Sequence, residues 1–374
     1  MKRLVVLFIL LFTTHISFSQ IHIDPSVDTL ETDVKAAIRF YRSYIKAFKD
    51  TSLPNFRKYW PDDDCNAYKF PDQIIYGISS DYPTYRMAKG TIMYVKPGKE
   101  YVQIKTHFGF ADSAGYTNTI AITNHFLKLD NNGSFKFINP LKFTTKGWHT
   151  TTVRNVSFCY PPYHIFSKKK ADSLIQRIIA LEKAWNLEPI KIRYYFANTK
   201  EEMQKIRGFD FTPDMGNRDK PSGISDSKDN IIYCAGWGEN YFHEVVHIYL
   251  NRHYPNSPLK EGLAVFYGGS MGHSLGWHLQ RLNNFLNEHT DIDIIDPAAL
   301  GYMDNYTNPR SAILGLICQL AYDKDGMAGL KNIMSYDNIE DIMHYEFNIS
   351  AQKCDGFLRR IIANEYGRSS KTFL

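Results

Sequence analysis

The chain lacks a cysteine framework. Its five cysteines are scattered over 374 residues, odd in number and never spaced as CxxC, which excludes a small fold held together by disulfide bonds. One or two bridges remain compatible with an oxidising compartment, and buried thiols that pack as small hydrophobic groups are equally compatible. The cysteines are Cys65, Cys159, Cys234, Cys318 and Cys354.

A strong charge of one sign and long apolar runs are also missing. The net charge is only +5, and the basic residues form no arginine-rich or aromatic-interleaved stripe, so we expect no nucleic-acid partner. The basic run at 168–170 is typical of a solvated helix start. Beyond the N-terminal segment, no run reaches the ~20 apolar residues that a membrane-spanning helix needs.

The first twenty residues have the pattern of a cleaved secretory signal. Lys2 and Arg3 precede an apolar run at 4–12, which is followed by a small and polar stretch at 13–20. No cysteine lies near the expected cleavage point, so we expect no lipid anchor. The pattern predicts a secreted or periplasmic protein without a stable membrane span after cleavage.

Residues 21–150 are predicted to form a small accessory α+β domain. Apolar residues at helical spacing predict a helix at 32–49 and a shorter one at 53–60, and runs rich in β-branched and aromatic residues predict four strands. The order of a helix followed by an antiparallel sheet is similar to that of the cone-shaped NTF2-like or cystatin-like class. The strands are expected at 87–95, 101–108, 117–129 and 134–138, with a turn at 130–133.

From residue 151 to 374 the pattern changes to alternating strands and helices, which predicts a second domain. A capping pattern, Thr199 with Glu202 three residues later, predicts a helix start. Beyond residue 269 the pattern is mainly helical. The expected elements before that point are a strand at 153–160, a helix at 169–185, a strand at 190–196, a loop at 208–229 and a strand at 230–234.

The segment after these strands contains His243-Glu244-Val245-Val246-His247, which fits the HExxH pattern. Residues four apart on a helix share a face, so both imidazoles can reach one metal ion. Glu244 then lies beside the metal, where a carboxylate can act as a general base. Apolar neighbours predict that this helix is half-buried.

A catalytic zinc ion needs a third protein ligand, and the sequence offers two candidates. His253 fits the spacing HExxHxxGxxH, but Leu250 stands where that pattern requires a glycine to turn the chain back. Glu261 lies on a second predicted helix, which Ser257 and Pro258 would open and the glycines at 268–269 would end. Gly262 and Ala264 are expected to let the two helices approach closely, which favours Glu261.

This combination resembles the gluzincin metallopeptidases, in particular the peptidase MA-like group, whose signature is HExxH followed by EGxA. The match includes Glu261, Gly262 and Ala264 and covers residues 151–374 more weakly. The resemblance implies a zincin-like domain with a helical C-terminal half and a Zn²⁺ ion held by His243, His247 and Glu261.

The resemblance also implies roles in catalysis. Glu244 would take a proton from zinc-bound water during attack on a peptide carbonyl, and a tyrosine of the helical half would donate a hydrogen bond to the oxyanion. Tyr302 and Tyr306 are the nearest candidates for this donor.

The sequence therefore predicts an exported zinc metallopeptidase that acts on peptides or proteins. The strand at 230–234 is expected to be the sheet edge against which an extended substrate pairs. Two alternatives remain: a metzincin-like peptidase that uses His253, and a non-catalytic binding or sensor protein on a peptidase-like fold.

Overall fold

The computed structural model describes residues 21–48, 53–78, 88–216, 221–295, 301 and 303–367. The predicted signal segment at 1–20 and Tyr302 lie outside the described residues. The described chain contains helices and two β-sheets, as expected of an α+β protein, and divides into two compact units.

The first unit comprises residues up to 67 together with Pro71–Phe143 and Gly208–Pro213. Its sheet has the order β1-β2-β3-β4-β5, with β1 parallel to β2 and the other neighbours antiparallel, and β9 also pairs with β4. The strands are β1 (His22–Ile23), β2 (Lys89–Pro97), β3 (Val102–Ala111), β4 (Thr117–Leu129), β5 (Phe135–Ile138) and β9 (Phe209–Phe211). The helices are α1 (Thr32–Ala47), α2 (Asp62–Ala67), α3 (Gln73–Ile78) and α4 (Pro140–Thr144).

The core of the first unit lies between α1 and one face of this sheet. The buried side of α1 includes Tyr41 and Tyr44, which pack with Phe137 of β5. The turn predicted at 130–133 is confirmed, because the Asp130 backbone and side chain accept hydrogen bonds from the residues that follow. The helix predicted at 53–60 is only the 3₁₀ turn Phe56–Lys58.

The second unit contains Thr144–Arg207 and the chain from Asp214 onward. Its five-stranded sheet has the order β10-β11-β8-β7-β6, in which β11, β8 and β7 are parallel and both outer strands are antiparallel. The strands are β6 (His149–Val153), β7 (Val156–Tyr160), β8 (Ile192–Ala197), β10 (Ser222–Asp226) and β11 (Ile231–Ala235).

Helices make up most of the remainder of this unit. Thr199 caps the helix that it was predicted to open by accepting a hydrogen bond from the Glu202 backbone. The helices are α5 (Lys168–Trp185), α6 (Lys200–Ile206), α7 (Phe242–Leu250), α8 (Lys260–Gly268), α9 (Leu275–Glu288), α10 (Pro309–Ile333, kinked at Asp325 and Gly326), α11 (Ile339–Asp341), followed by the π turn Ile342–Glu346, and α12 (Ala351–Tyr366).

Two strand and loop assignments for this half of the chain are wrong. The single strand expected at 153–160 is part of the hairpin β6–β7, whose turn places Arg154 at φ 54°. The loop expected at 208–229 contains β9 and β10, two short strands that pair with β4 and β11. β9 pairs with β4, which lies far earlier in the chain, whereas β10 forms a hairpin with the next strand, β11.

Among the described helices, none has the length and apolar character needed to cross a membrane. All five cysteines are described, and each has a free thiol. Cys234, Cys318 and Cys354 are buried, as in the interpretation that they pack as small hydrophobic groups.

A buried hydrogen-bonded group fixes the far end of α7 to α5 and to the strand ends. The Tyr249 hydroxyl donates to Glu182 Oε1 at 2.6 Å and accepts from the Ile190 backbone at 3.1 Å and from Asn155 at 3.2 Å. Burial, with the hydrogen bond to Glu182, raises the pKa of Tyr249 to about 12, so the hydroxyl stays protonated. Arg154 binds the other oxygen of Glu182 at 2.6 Å.

We expect Tyr249→Phe to lower the free energy of unfolding by about 1–3 kcal/mol, because the part-buried Ile190 N–H and a carboxylate oxygen of Glu182 lose a partner. Chemical denaturation would measure this change. Tyr345→Phe is the control, since the Tyr345 side chain is 67% exposed. Equal stabilities of the two variants would contradict the anchoring role of Tyr249.

Candidate metal centre

The HExxH segment forms helix α7, which we call the motif helix. Its residues are all buried, so the expectation of a half-buried helix is wrong. The motif helix contacts α5, α8, β10 and β11, which leaves no solvent face. At about 100° per residue, His243 and His247 lie about 40° apart around the helix axis and Glu244 lies about 60° from His247. The three side chains therefore share one side of the helix.

Helix α8 brings a third donor to the two imidazoles. Glu261 Oε1 lies 3.2 Å from His247 Nε2, Glu261 Oε2 lies 3.6 Å from His243 Nε2, and the two Nε2 atoms are 3.2 Å apart. Donors at 2.0–2.1 Å from a tetrahedral zinc ion would be about 3.3 Å apart. The separations among the three residues are close to this value, so the group could hold one metal ion. Among the described residues, they are the group of His, Cys, Asp or Glu side chains that converges in this way.

Hydrogen bonds to the other ring nitrogens orient both imidazoles. His243 Nδ1 lies 2.7 Å from the Gly269 carbonyl oxygen, and His247 Nδ1 lies 3.3 Å from Asn251 Oδ1. Because both oxygens can only accept a hydrogen bond, each Nδ1 carries a proton and is the hydrogen-bond donor. In the neutral ring this leaves a lone pair on Nε2, directed at the point where the donors converge, as in many histidine metal sites.

Electrostatics in the metal-free protein hold the same three groups together. Burial alone would lower the pKa of His247, but the hydrogen bond and charge of Glu261 outweigh it and raise the pKa to about 9. Burial would raise the pKa of Glu261, but the hydrogen bonds to His243 and His247 hold it well below its usual value. The side chain of Glu261 is nevertheless 55% exposed, whereas those of the histidines are under 10%. The Glu261 side chain is therefore the part of the cluster that is most accessible to solvent.

Glycine allows the close approach of the motif helix and α8, but not at the predicted position. A Cβ atom on Gly268 would lie 2.7 Å from the backbone Cα and N of His243. A Cβ atom on Gly262 would instead lie 2.4 Å from the backbone of Leu314 in α10. The sequence interpretation of Gly262 is therefore wrong, because this residue fits α8 against α10 and Gly268 fits α8 against the motif helix.

We expect Gly268→Ala to lower the free energy of unfolding by about 1–3 kcal/mol, because the added methyl group overpacks the contact with His243. The same displacement should weaken zinc binding, which competition with a chromophoric chelator would measure. Gly356→Ala is the matched control, since a Cβ on this exposed helical glycine would meet nothing within 4 Å. A Gly268→Ala protein with the stability and zinc affinity of the control would contradict this packing argument.

The strand that lies against the motif helix is β10. Residues 230–234 were predicted to be the sheet edge, but 231–234 lie in β11, which is paired on both sides. The edge strand is β10, and its Gly223 lies where a Cβ would be 2.1 Å from the Tyr241 ring and 2.8 Å from Glu244 Cγ. Gly223 thus allows the edge strand to run directly beside Glu244.

The other residues singled out in the sequence lie outside the cluster. His253 lies in the turn after the motif helix, and its backbone donates to the Leu250 carbonyl. Tyr306 is 44% exposed, and its ring contacts His273 and Trp277. Tyr302 is outside the described residues. Helix α8 begins at Lys260, later than predicted.

Three contributors to the site were missed in the sequence: Asn251, Gly269 and Gly223. Asn251 could have been found, because it lies four residues after His247 and so shares its side of the helix. The role of Gly269 depends on its carbonyl, and that of Gly223 depends on a strand pairing, so neither had a signal in the sequence pattern.

Comparisons of the chain with protein-family models, with curated proteins and with solved structures give no match.

Proposed function

We propose that this chain is an exported zinc metallopeptidase with a gluzincin-type site on a zincin-like fold. The observation that carries the proposal is the convergence of His243 Nε2, His247 Nε2 and the Glu261 carboxylate at separations of 3.2–3.6 Å. Two imidazoles and one carboxylate are the donor set of many catalytic zinc sites, which keep a fourth position open. The Glu261 side chain is 55% exposed, so the cluster is accessible to solvent, as an open position requires.

A bound zinc ion would supply Lewis-acid chemistry, polarising a carbonyl and lowering the pKa of water to near ~7. The chain itself supplies the proton-transfer group. Glu244 is only 5% exposed and lies on the ligand side of the motif helix, but its carboxylate is not one of the converging donors. It is therefore free to accept a proton from the attacking water and deliver it to the leaving amine.

The edge strand β10 supports a peptide as the substrate. An extended peptide can add to an exposed strand edge through backbone hydrogen bonds, independent of its side chains. Because Gly223 places β10 beside Glu244, a peptide paired with this strand would have its backbone near the general base. Among the described residues, Tyr306 remains the candidate for the oxyanion donor. Tyr302 remains a candidate from the sequence alone.

The proposed location outside the cytoplasm depends on the pattern of residues 1–20. The proposed accessory role of the first unit depends on its helix-and-sheet architecture, whose element order is similar to that of the NTF2-like or cystatin-like class.

The test is zinc content combined with cleavage of a mixed peptide library by the mature protein. We expect one zinc ion per chain, loss of cleavage after chelation, and recovery when zinc is added back. A protein that binds zinc but cuts no peptide would favour the binding-protein alternative. A protein that binds no zinc would overturn the proposed site.

A further inference from the structure

A strained turn provides the carbonyl that orients His243. We call residues 269–273 the anchor turn. Ser270 and His273 exchange two backbone hydrogen bonds of 2.9 Å, and the residues between them, Met271 and Gly272, have φ values of 47° and 78°. This is a turn with both central residues left-handed. A left-handed methionine costs free energy and persists only where the surroundings impose it.

Two contacts hold the turn in place at the residues on either side of Met271. A Cβ on Gly272 would lie 2.0 Å from the Trp237 ring, so this glycine is pressed against the indole. On the other side, His278 Nε2 lies 2.8 Å from the Ser270 carbonyl oxygen. That oxygen accepts from both the His273 backbone and the His278 side chain. The carbonyl next to it along the chain, that of Gly269, accepts from His243 Nδ1.

Hydrogen bonds at both ring nitrogens fix the protonation state of His278. Since the Ser270 carbonyl can only accept, His278 Nε2 carries the proton, and Nδ1 accepts from the Thr307 hydroxyl at 3.0 Å. His278 is 2% exposed, and burial lowers its pKa, so the ring is neutral as this arrangement requires. Thr307 is fixed in turn, because its backbone donates to Asp304, which pairs with Arg281.

We infer that His278 is a positioning residue that holds the anchor turn and thereby fixes the orientation of the metal ligand His243. This inference rests on the proposed function, since it assigns His278 a purpose only if His243 binds a metal. It also links the loop at 303–307, which carries Tyr306, to the metal site through Thr307, His278 and Ser270.

The test measures zinc dissociation constants of the full chain by chelator competition, at temperatures well below unfolding. We expect His278→Ala to raise the dissociation constant roughly tenfold, the low end of the loss for a direct partner of a metal ligand, because His278 acts on the residue next to that partner. His278→Gln should stay nearer wild type, because its amide can donate to the Ser270 carbonyl. His289→Ala is the matched control: it removes another histidine, at the end of α9, whose ring packs on Phe285.

A second readout needs no metal. The His243 Nδ1 proton should exchange slowly with water in the metal-free wild type and His278→Gln proteins and rapidly in His278→Ala, as observed by NMR. If His278→Ala does not fold, Thr307→Val provides the test, because it removes only the hydroxyl that fixes His278 and should raise the dissociation constant in the same direction.

The outcomes separate the two claims. If wild type binds zinc and neither His278→Ala nor Thr307→Val changes its affinity or the proton exchange, the role of His278 is overturned while the proposed zinc site stands. An effect of His289→Ala as large as that of His278→Ala would also overturn it. If wild type binds no zinc, the inference and the proposed function are both overturned.

Discussion

A protein carrying Glu244→Gln is expected to bind zinc as wild type does while cleaving peptides about 10²–10⁴-fold more slowly. Glutamine has the size of glutamate, so the buried contact with Gly223 on β10 should persist. The Glu244 carboxylate is not one of the three converging donors, so its charge is not needed to hold the ion. Its amide replacement cannot accept a proton from water, and only catalysis should be lost. Zinc content and single-turnover cleavage rates would measure the two effects separately.

Glu288→Gln serves as a control, because it makes the same chemical change at the exposed end of α9. It should leave both zinc content and cleavage unchanged. Retention of full activity by Glu244→Gln would mean that another group acts as the base. Loss of zinc together with activity would mean that Glu244 holds the metal or the fold instead.

Local patterns predicted those parts of the site that lie close together in the sequence. The spacing of His243 and His247 placed both imidazoles on one side of a helix, because the period of an α-helix is a property of the backbone. The pairing of Thr199 with Glu202 predicted a helix start for the same reason, since capping is a contact between neighbours.

The parts that failed depend on residues far apart in the sequence. Residues 209–211 were interpreted as loop, yet they form β9 by pairing with β4, which lies far earlier in the chain. Gly262 was assigned to the wrong helix contact because glycine spacing shows that a close approach is allowed, but not which neighbour makes it. Gly268 contacts the motif helix because of the angle at which α8 packs against it. The packing of the whole core determines that angle.

Glu261→Ala is expected to weaken zinc binding more than a hundredfold. No other single substitution outside the motif helix should weaken zinc binding as much. Loss of an outer hydrogen-bond partner of a zinc ligand typically costs about 10–100-fold in affinity, and loss of a ligand should cost more. The structure offers no replacement among the described residues, since His253 lies outside the converging group. Chelator competition on purified protein would measure the change.

His253→Ala separates the two ligand sets that the sequence allowed. Its zinc affinity should equal that of wild type, whereas loss of zinc with His253→Ala but not with Glu261→Ala would favour a metzincin-like site and contradict the arrangement described above. The metal-free protein provides an independent check. Glu261 is the principal group that raises the pKa of His247 to about 9 against the opposing effect of burial. Removal of this carboxylate should therefore lower that pKa, so that His247 loses its charge at a lower pH, and an NMR titration of the two histidines would detect the shift without any metal present.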